Sequence, residues 1–153
     1  GRWEKLSENP CVICDIGHNE HGLKYNFTQL EKMISSGEHD RLIIIYGSVA
    51  DKDLDSVIHL LPSEAVYIFT QAHGKRALPS HIICERYSAF CMETGRDEGE
   101  VYVEESVECA VHKAFALAEE YLSEGNISRP LIYIGGSTYV VAEDVACIND
   151  ENL

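Results

Sequence analysis

Basic side chains are scarce: 12 Lys and Arg stand against 26 Asp and Glu, a formal charge of -14 over 153 residues. A surface of that sign repels a phosphate backbone unless its few cations gather on one face. They are scattered along the chain, so nucleic acid is not an expected partner. Long apolar runs are missing too. None approaches the roughly 20 residues that a membrane-spanning helix needs, and the first residues lack the charged-then-apolar order of a secretion signal. The expectation is a soluble, cytoplasmic protein with no membrane partner. Aromatic content is low at 8%, but hydrophobic residues make up 45%, enough for one sizeable core in a chain of single-domain length. No repeat, linker or low-complexity stretch breaks the chain. Nor does it contain Gly-x-x-x-x-Gly-Lys-Ser/Thr, so it is expected to lack an ATP motor of its own. The opening Gly1-Arg2-Trp3-Glu4 reads as the interior of a longer polypeptide, and the chain is expected to be a fragment.

Six cysteines are present, at positions 11, 14, 84, 91, 109 and 147. They are spread through long apolar segments, which fits reduced core thiols better than a disulfide framework. Cys11-Val12-Ile13-Cys14, followed by His18 and His21, has the residue types that zinc prefers. However, Cys11 and Cys14 fall in a predicted strand, where alternation sends them to opposite faces. No metal is expected.

Short β-branched runs recur between stretches of helical spacing. Strands are predicted at Cys11 to Ile16, Leu42 to Tyr46, Val66 to Thr70, Val101 to Val103 and Leu131 to Ile134. Helical spacing places Leu23, Phe27, Leu30 and Ile34 on one face, then Leu54, Val57, Ile58 and Leu61, then Ile83, Tyr87, Phe90 and Cys91. The longest helix is predicted over Ser106 to Leu122. Ser106 is its cap, Cys109 stands where a full capping box has Glu, and Gly125 and Pro130 terminate it. A last helix, expected to be short and acidic, ends in a frayed tail at Asp150 to Leu153. Such alternation predicts an α/β fold: an open, mostly parallel, Rossmann-like sheet with helices on both faces. Ligands in such sheets gather at the carboxyl ends of the strands.

Four loops there carry candidate chemistry. Asp15-Ile16-Gly17-His18-Asn19 ends the first strand: Asp15 can bind a ribose hydroxyl and His18 can face a phosphate or acyl group. Equally, Asp15 and Asn19 can serve only to satisfy backbone donors and cap the next helix. In Gly47-Ser48-Val49-Ala50-Asp51-Lys52-Asp53, an acid can cap a helix while Lys52 reaches a carboxylate or is simply solvated. Gly135-Gly136-Ser137-Thr138-Tyr139 can present backbone amides and the Ser137 hydroxyl to a carboxylate, although Gly-Gly-Ser turns are also common in loops without such a duty. His73-Gly74-Lys75-Arg76 sets two cations side by side in an acidic protein, a local inversion of sign.

Taken in order, Gly1 to Glu4, Asp15 to Asn19, Gly47 to Asp53, Arg76-Ala77-Leu78-Pro79 and Gly136-Ser137-Thr138-Tyr139 resemble the landmarks of the C-terminal domain of folylpolyglutamate synthase/dihydrofolate synthase, within the Mur-type amide ligases. The resemblance covers essentially the whole chain, residues 1–153, as one glutamate-binding domain. It implies a fold of Mur ligase C-terminal type and a partner, the N-terminal ATP-binding domain of the same polypeptide. ATP and Mg2+ would be held mainly by that domain, and the isolated chain would be inactive and free of cofactor. The implied substrates are L-glutamate and a folate or dihydropteroate, joined through an acyl phosphate. By the same resemblance Arg2 would contact nucleotide phosphates, Asp15 the ribose, and His18 the reacting groups. Lys52, Ser137, Tyr139 and Arg76 would hold glutamate. Asp15, Lys52 and Ser137 are thus expected in one cleft, with Arg2, Lys52, Lys75 and Arg76 offsetting the negative charge of domain and substrate.

Two positions depart from the family pattern: Glu20 stands where proline usually follows His-Asn, and Thr138 where leucine usually lies between Ser and Tyr. The first leaves the loop exit less rigid. A muropeptide ligase domain and a stand-alone α/β nucleotide-binding or interaction module are the alternatives. The Gly-Ser-x-Tyr turn favours folate.

Overall fold

The computed structural model describes residues 3–17, 19–49, 51–127 and 129–151, with the backbone alone for residues 51–53, 150 and 151. It is an open α/β sandwich around one sheet of six strands in the order β1-β2-β6-β3-β4-β5. These are β1 (Glu4–Glu8), β2 (Cys11–Cys14), β3 (Arg41–Tyr46), β4 (Val66–Phe69), β5 (Val101–Val103) and β6 (Pro130–Gly135). β1 pairs antiparallel with β2, and every other neighbouring pair is parallel.

Alternation along the strands makes two cores. Cys11, Ile13, Leu42, Ile44, Tyr46, Tyr67, Phe69, Leu131 and Tyr133 face one side. There they meet α1 (Glu20–Ser35), α2 (Asp51–Val57) with its following 3₁₀ turn Ile58–Leu60, and α3 (Ser80–Thr94). Val12, Cys14, Ile43, Ile45, Ile68, Ile132 and Ile134 face the other, against α4 (Val107–Glu124) and α5 (Thr138–Glu151). The chain steps from β2 to β3, β4 and β5 through α1, α2 and α3, then reverses to insert β6 between β2 and β3. Right-handed crossovers require the returning helix, α4, to lie on the opposite face. Inserting β6 there sets the ends of β2, β6 and β3 side by side at the carboxyl edge.

Local signals set the helix ends. Asn19 accepts the Gly22 N–H at 2.8 Å to cap α1, and Ser106 accepts the Cys109 N–H at 3.1 Å to cap α4. Pro79 offers α3 no cap, and Gln71 Oε1 serves instead, accepting the Ser80 N–H at 2.8 Å. The aromatic residues concentrate in the first core, where Tyr67, Phe69 and Tyr87 pack with ring centroids 4.9 to 5.5 Å apart.

Three readings are corrected. Sequence pattern gave no strand at Glu4–Glu8 because Glu-Lys-Leu-Ser-Glu is polar; backbone pairing with β2, not burial, makes it an edge strand. The first predicted strand stops at Cys14, after which the chain bends so that Asp15 can turn back on Gly17. The last helix is not short: it runs 14 residues, because Val140, Val141 and Ile148 give it a buried stripe against the second core. Cys11 and Cys14 do face opposite sides of β2, and none of the six cysteines is in a disulfide. Burial pushes the Cys14 thiol up to about 11, which keeps it a neutral core group.

Candidate functional site

Two separate clefts open at the carboxyl edge. The first lies beyond β2. Asp15 is 7% exposed, and each of its carboxylate oxygens accepts one backbone N–H at 2.6 Å: Oδ2 from Trp3 and Oδ1 from Gly17. The satisfied-donor reading of Asp15 and the capping reading of Asn19 therefore both hold as structure. Each carboxylate oxygen of Asp15 still has a lone pair, so a ribose hydroxyl remains a possible donor. Behind it, Asn26 Nδ2 donates to the Tyr133 hydroxyl at 3.2 Å, and burial pushes that phenol well above its usual range. The Trp3 ring tilts against Tyr133, with centroids 6.3 Å apart. Trp3, Asp15, Asn19, His21, Tyr25 and Asn26 line this cleft of about 560 Å³. Tyr25, mostly exposed on α1, was not singled out by sequence; a lone tyrosine on a helix face gives no signal.

The second cleft lies beyond β3 and β6. Ser48, His73, Lys75, Arg76, Ser137 and Tyr139 line a cavity of about 250 Å³. Ser137 is 2% exposed, and its Oγ accepts the Val140 N–H at 3.2 Å, capping α5. A hydroxyl whose oxygen is taken by the backbone still has its proton to donate. Tyr139 is half exposed at the rim. Lys75 and Arg76 are exposed, and no described carboxylate lies within ion-pair reach of either. A small anion entering here would meet two cations and hydroxyl donors.

Ser137, Tyr139 and Arg76 thus share a cavity, together with Ser48, His73 and Lys75. Asp15 does not share it. The expectation of one cleft holding Asp15 and Ser137 is corrected: their strands are neighbours, with the Asp15 N–H donating to the Ile134 carbonyl at 3.1 Å, yet the two side chains open into different clefts. Arg2 and His18 lie outside the described residues, and so do the side chains of Lys52, Asp51 and Asp53. The Gly-Gly turn has a packing role as well. Gly135 and Gly136 let the chain pass against the Tyr133 ring and against Gly47 and the Tyr46 ring. Among the described residues no group of three or more His, Cys, Asp or Glu side chains could hold a metal, and no helix is long and apolar enough to cross a membrane.

Two clefts thus stand at the carboxyl edge, one beside the Asp15 carboxylate and one lined by Lys75 and Arg76. The chain belongs to the Mur ligase, glutamate ligase domain family, which it matches over residues 1–122. It is 27% identical over 146 residues to a protein of Haloferax volcanii named as a probable bifunctional folylpolyglutamate synthase/dihydropteroate synthase, with 94% of this chain and 15% of the relative covered. The fold is shared with a Mycobacterium tuberculosis folylpolyglutamate synthase complexed with ADP, at a TM-score of 0.73 and 22% identity, over 99% of this chain and 31% of that one. It is shared also with a Yersinia pestis bifunctional folylpolyglutamate synthase/dihydrofolate synthase complexed with AMPPNP and Mn ion, at a TM-score of 0.68 and 19% identity, over 97% of this chain and 31% of that one. The chain therefore spans about a third or less of each of these relatives.

Proposed function

We propose that residues 1–153 are the C-terminal, glutamate-binding domain of a cytoplasmic, ATP-dependent amide ligase that adds L-glutamate to a folate or to dihydropteroate. The observation that carries this reading is the pairing of Lys75 and Arg76 with the Ser137 hydroxyl around one small cavity at the carboxyl edge. Two cations and a donor suit a dicarboxylate amino acid; charge-assisted hydrogen bonds to its carboxylates are each worth about 1.5–3 kcal/mol. Tyr139 walls the rim, and the family resemblance adds Lys52, at the start of α2, as a further contact to glutamate. The Asp15 cleft takes the ribose, with Arg2 on the phosphates and His18 toward the reacting groups.

ATP binds mainly to the N-terminal domain of the same polypeptide, together with Mg2+, for which the described residues here offer no ligand set. ATP activates the folate carboxylate as an acyl phosphate. The glutamate amine attacks the acyl carbon, forming the C–N bond as the C–O bond to phosphate breaks and the phosphate departs. This domain holds the α-carboxylate so that the amine is aimed, an orientation effect on the rate as well as on binding.

The test uses the full-length protein, assayed for ADP release. Release is expected only when glutamate is present together with dihydropteroate or tetrahydrofolate, and the separate 153-residue chain is expected to give none. Release with a muropeptide acceptor and not with folates would reject the reading.

A further inference from the structure

Glu143 takes no part in the reaction as described, yet it makes a two-point contact across 70 residues of sequence. Its Oε2 accepts the His73 backbone N–H at 2.9 Å, and its Oε1 lies 2.7 Å from His73 Nδ1. His73 opens the Gly74-Lys75-Arg76 segment that lines the cavity. We propose that Glu143 is a positioning residue: by gripping both the backbone and the ring of His73 from α5, it holds Lys75 and Arg76 against the same cavity wall as Ser137. The proposal rests on the glutamate-binding reading above.

The loop is anchored at its two ends by other contacts. Gln71 Oε1 accepts the Ser80 N–H and hydroxyl at 2.8 and 3.1 Å, and the Leu78 N–H donates to the Ser48 carbonyl at 2.9 Å. Between those anchors, the hydrogen bonds that tie residues 72–77 to the rest of the fold among the described residues are the two to Glu143. Glu143 lies one helical turn after Tyr139, a rim residue, on the helix that Ser137 caps. Both walls of the cavity therefore hang on the first turns of α5. Glu143 orders the loop through its two contacts to His73, and no ion pair joins it to Lys75 or Arg76. Their charge is left for the ligand.

Two readouts test this, one of the clamp and one of its purpose. In the full-length enzyme, Glu143→Ala is expected to speed hydrogen exchange at the amides of residues 73–77, since local opening then lacks its central contact. It is also expected to raise the KM for glutamate on the order of tenfold while leaving that for ATP within about twofold. Glu143→Gln keeps one acceptor and is expected to fall between. In a Lys75→Ala/Arg76→Ala background the Glu143→Ala effect on the glutamate KM should vanish, because the groups it positions are gone. Unchanged exchange overturns the clamp. Faster exchange with an unchanged glutamate KM, or effects that add in the triple variant, overturns the positioning role. If Lys75→Ala/Arg76→Ala itself leaves the glutamate KM unchanged, the glutamate assignment falls, and the positioning role falls with it.

Discussion

Gly136→Ala is expected to cost about 3–5 kcal/mol of stability, combining a strained backbone and a clash in a packed interior. Gly136 has φ of +101°, a conformation that side-chain-bearing residues rarely adopt. A Cβ there would sit within contact distance of the Gly47 carbonyl oxygen and 2.7 Å from the Tyr46 ring. Neither neighbour can yield: one is backbone, and the other is a side chain buried in the first core. Gly37 supplies the control. It too has positive φ, +83°, but nothing lies within 4 Å of an added Cβ, so Gly37→Ala should lose only about 1 kcal/mol. Urea unfolding of the three proteins measures both. Equal losses would mean that close packing at the carboxyl edge is not what Gly136 secures.

Asp144→Val is expected to act in the other direction, stabilising the domain by about 1–3 kcal/mol. Asp144 is fully buried on α5, and neither carboxylate oxygen has a hydrogen-bond partner among the described residues. An unsatisfied buried polar group costs roughly that amount, and an apolar side chain of similar size removes the cost. Burial, with the neighbouring Glu143 charge, raises the Asp144 pKa well above the ordinary carboxylate value. A raised folded-state pKa means that the folded chain retains its proton where the unfolded chain, near 3.9, has lost it. Stability from this group is therefore complete below about pH 4 and declines as pH rises toward the folded-state value. The advantage of Asp144→Val should widen over the same span. Denaturation midpoints at a series of pH values check this; an advantage that does not change with pH, or a loss of stability, contradicts it.

The parallel strands were legible because β2, β3, β4 and β6 are buried on both faces and so read as unbroken β-branched runs. Helical faces were legible for the same reason: Leu23, Phe27 and Leu30 repeat at the spacing that packing demands. β1 was not, since its residues are polar and its strand state comes from pairing with β2. At the site, the carboxyl-edge rule pointed to the loops after the strands, while the grouping of Ser137, Tyr139 and Arg76, which line one cavity, came from the family resemblance. The rule cannot say which of two adjacent strand ends opens into which cleft, so Asp15 was grouped with Ser137. The Gly-Gly motif signalled close approach, but the approaching partner was another strand end. The His73–Glu143 contact joins two segments 70 residues apart and leaves no local pattern.

The proposed division of the carboxyl edge into a nucleotide cleft and a glutamate cavity is tested most directly by paired kinetics in the full-length enzyme. Asp15→Asn should raise the KM for ATP by roughly tenfold or more, the loss of a charge-assisted hydrogen bond, and leave that for glutamate within about twofold. Arg76→Ala should do the reverse. Each substrate is varied with the others saturating. Opposite shifts in the two variants are the predicted result. A rise in the same KM in both, or no rise in either, would contradict the assignment of two sites to this domain.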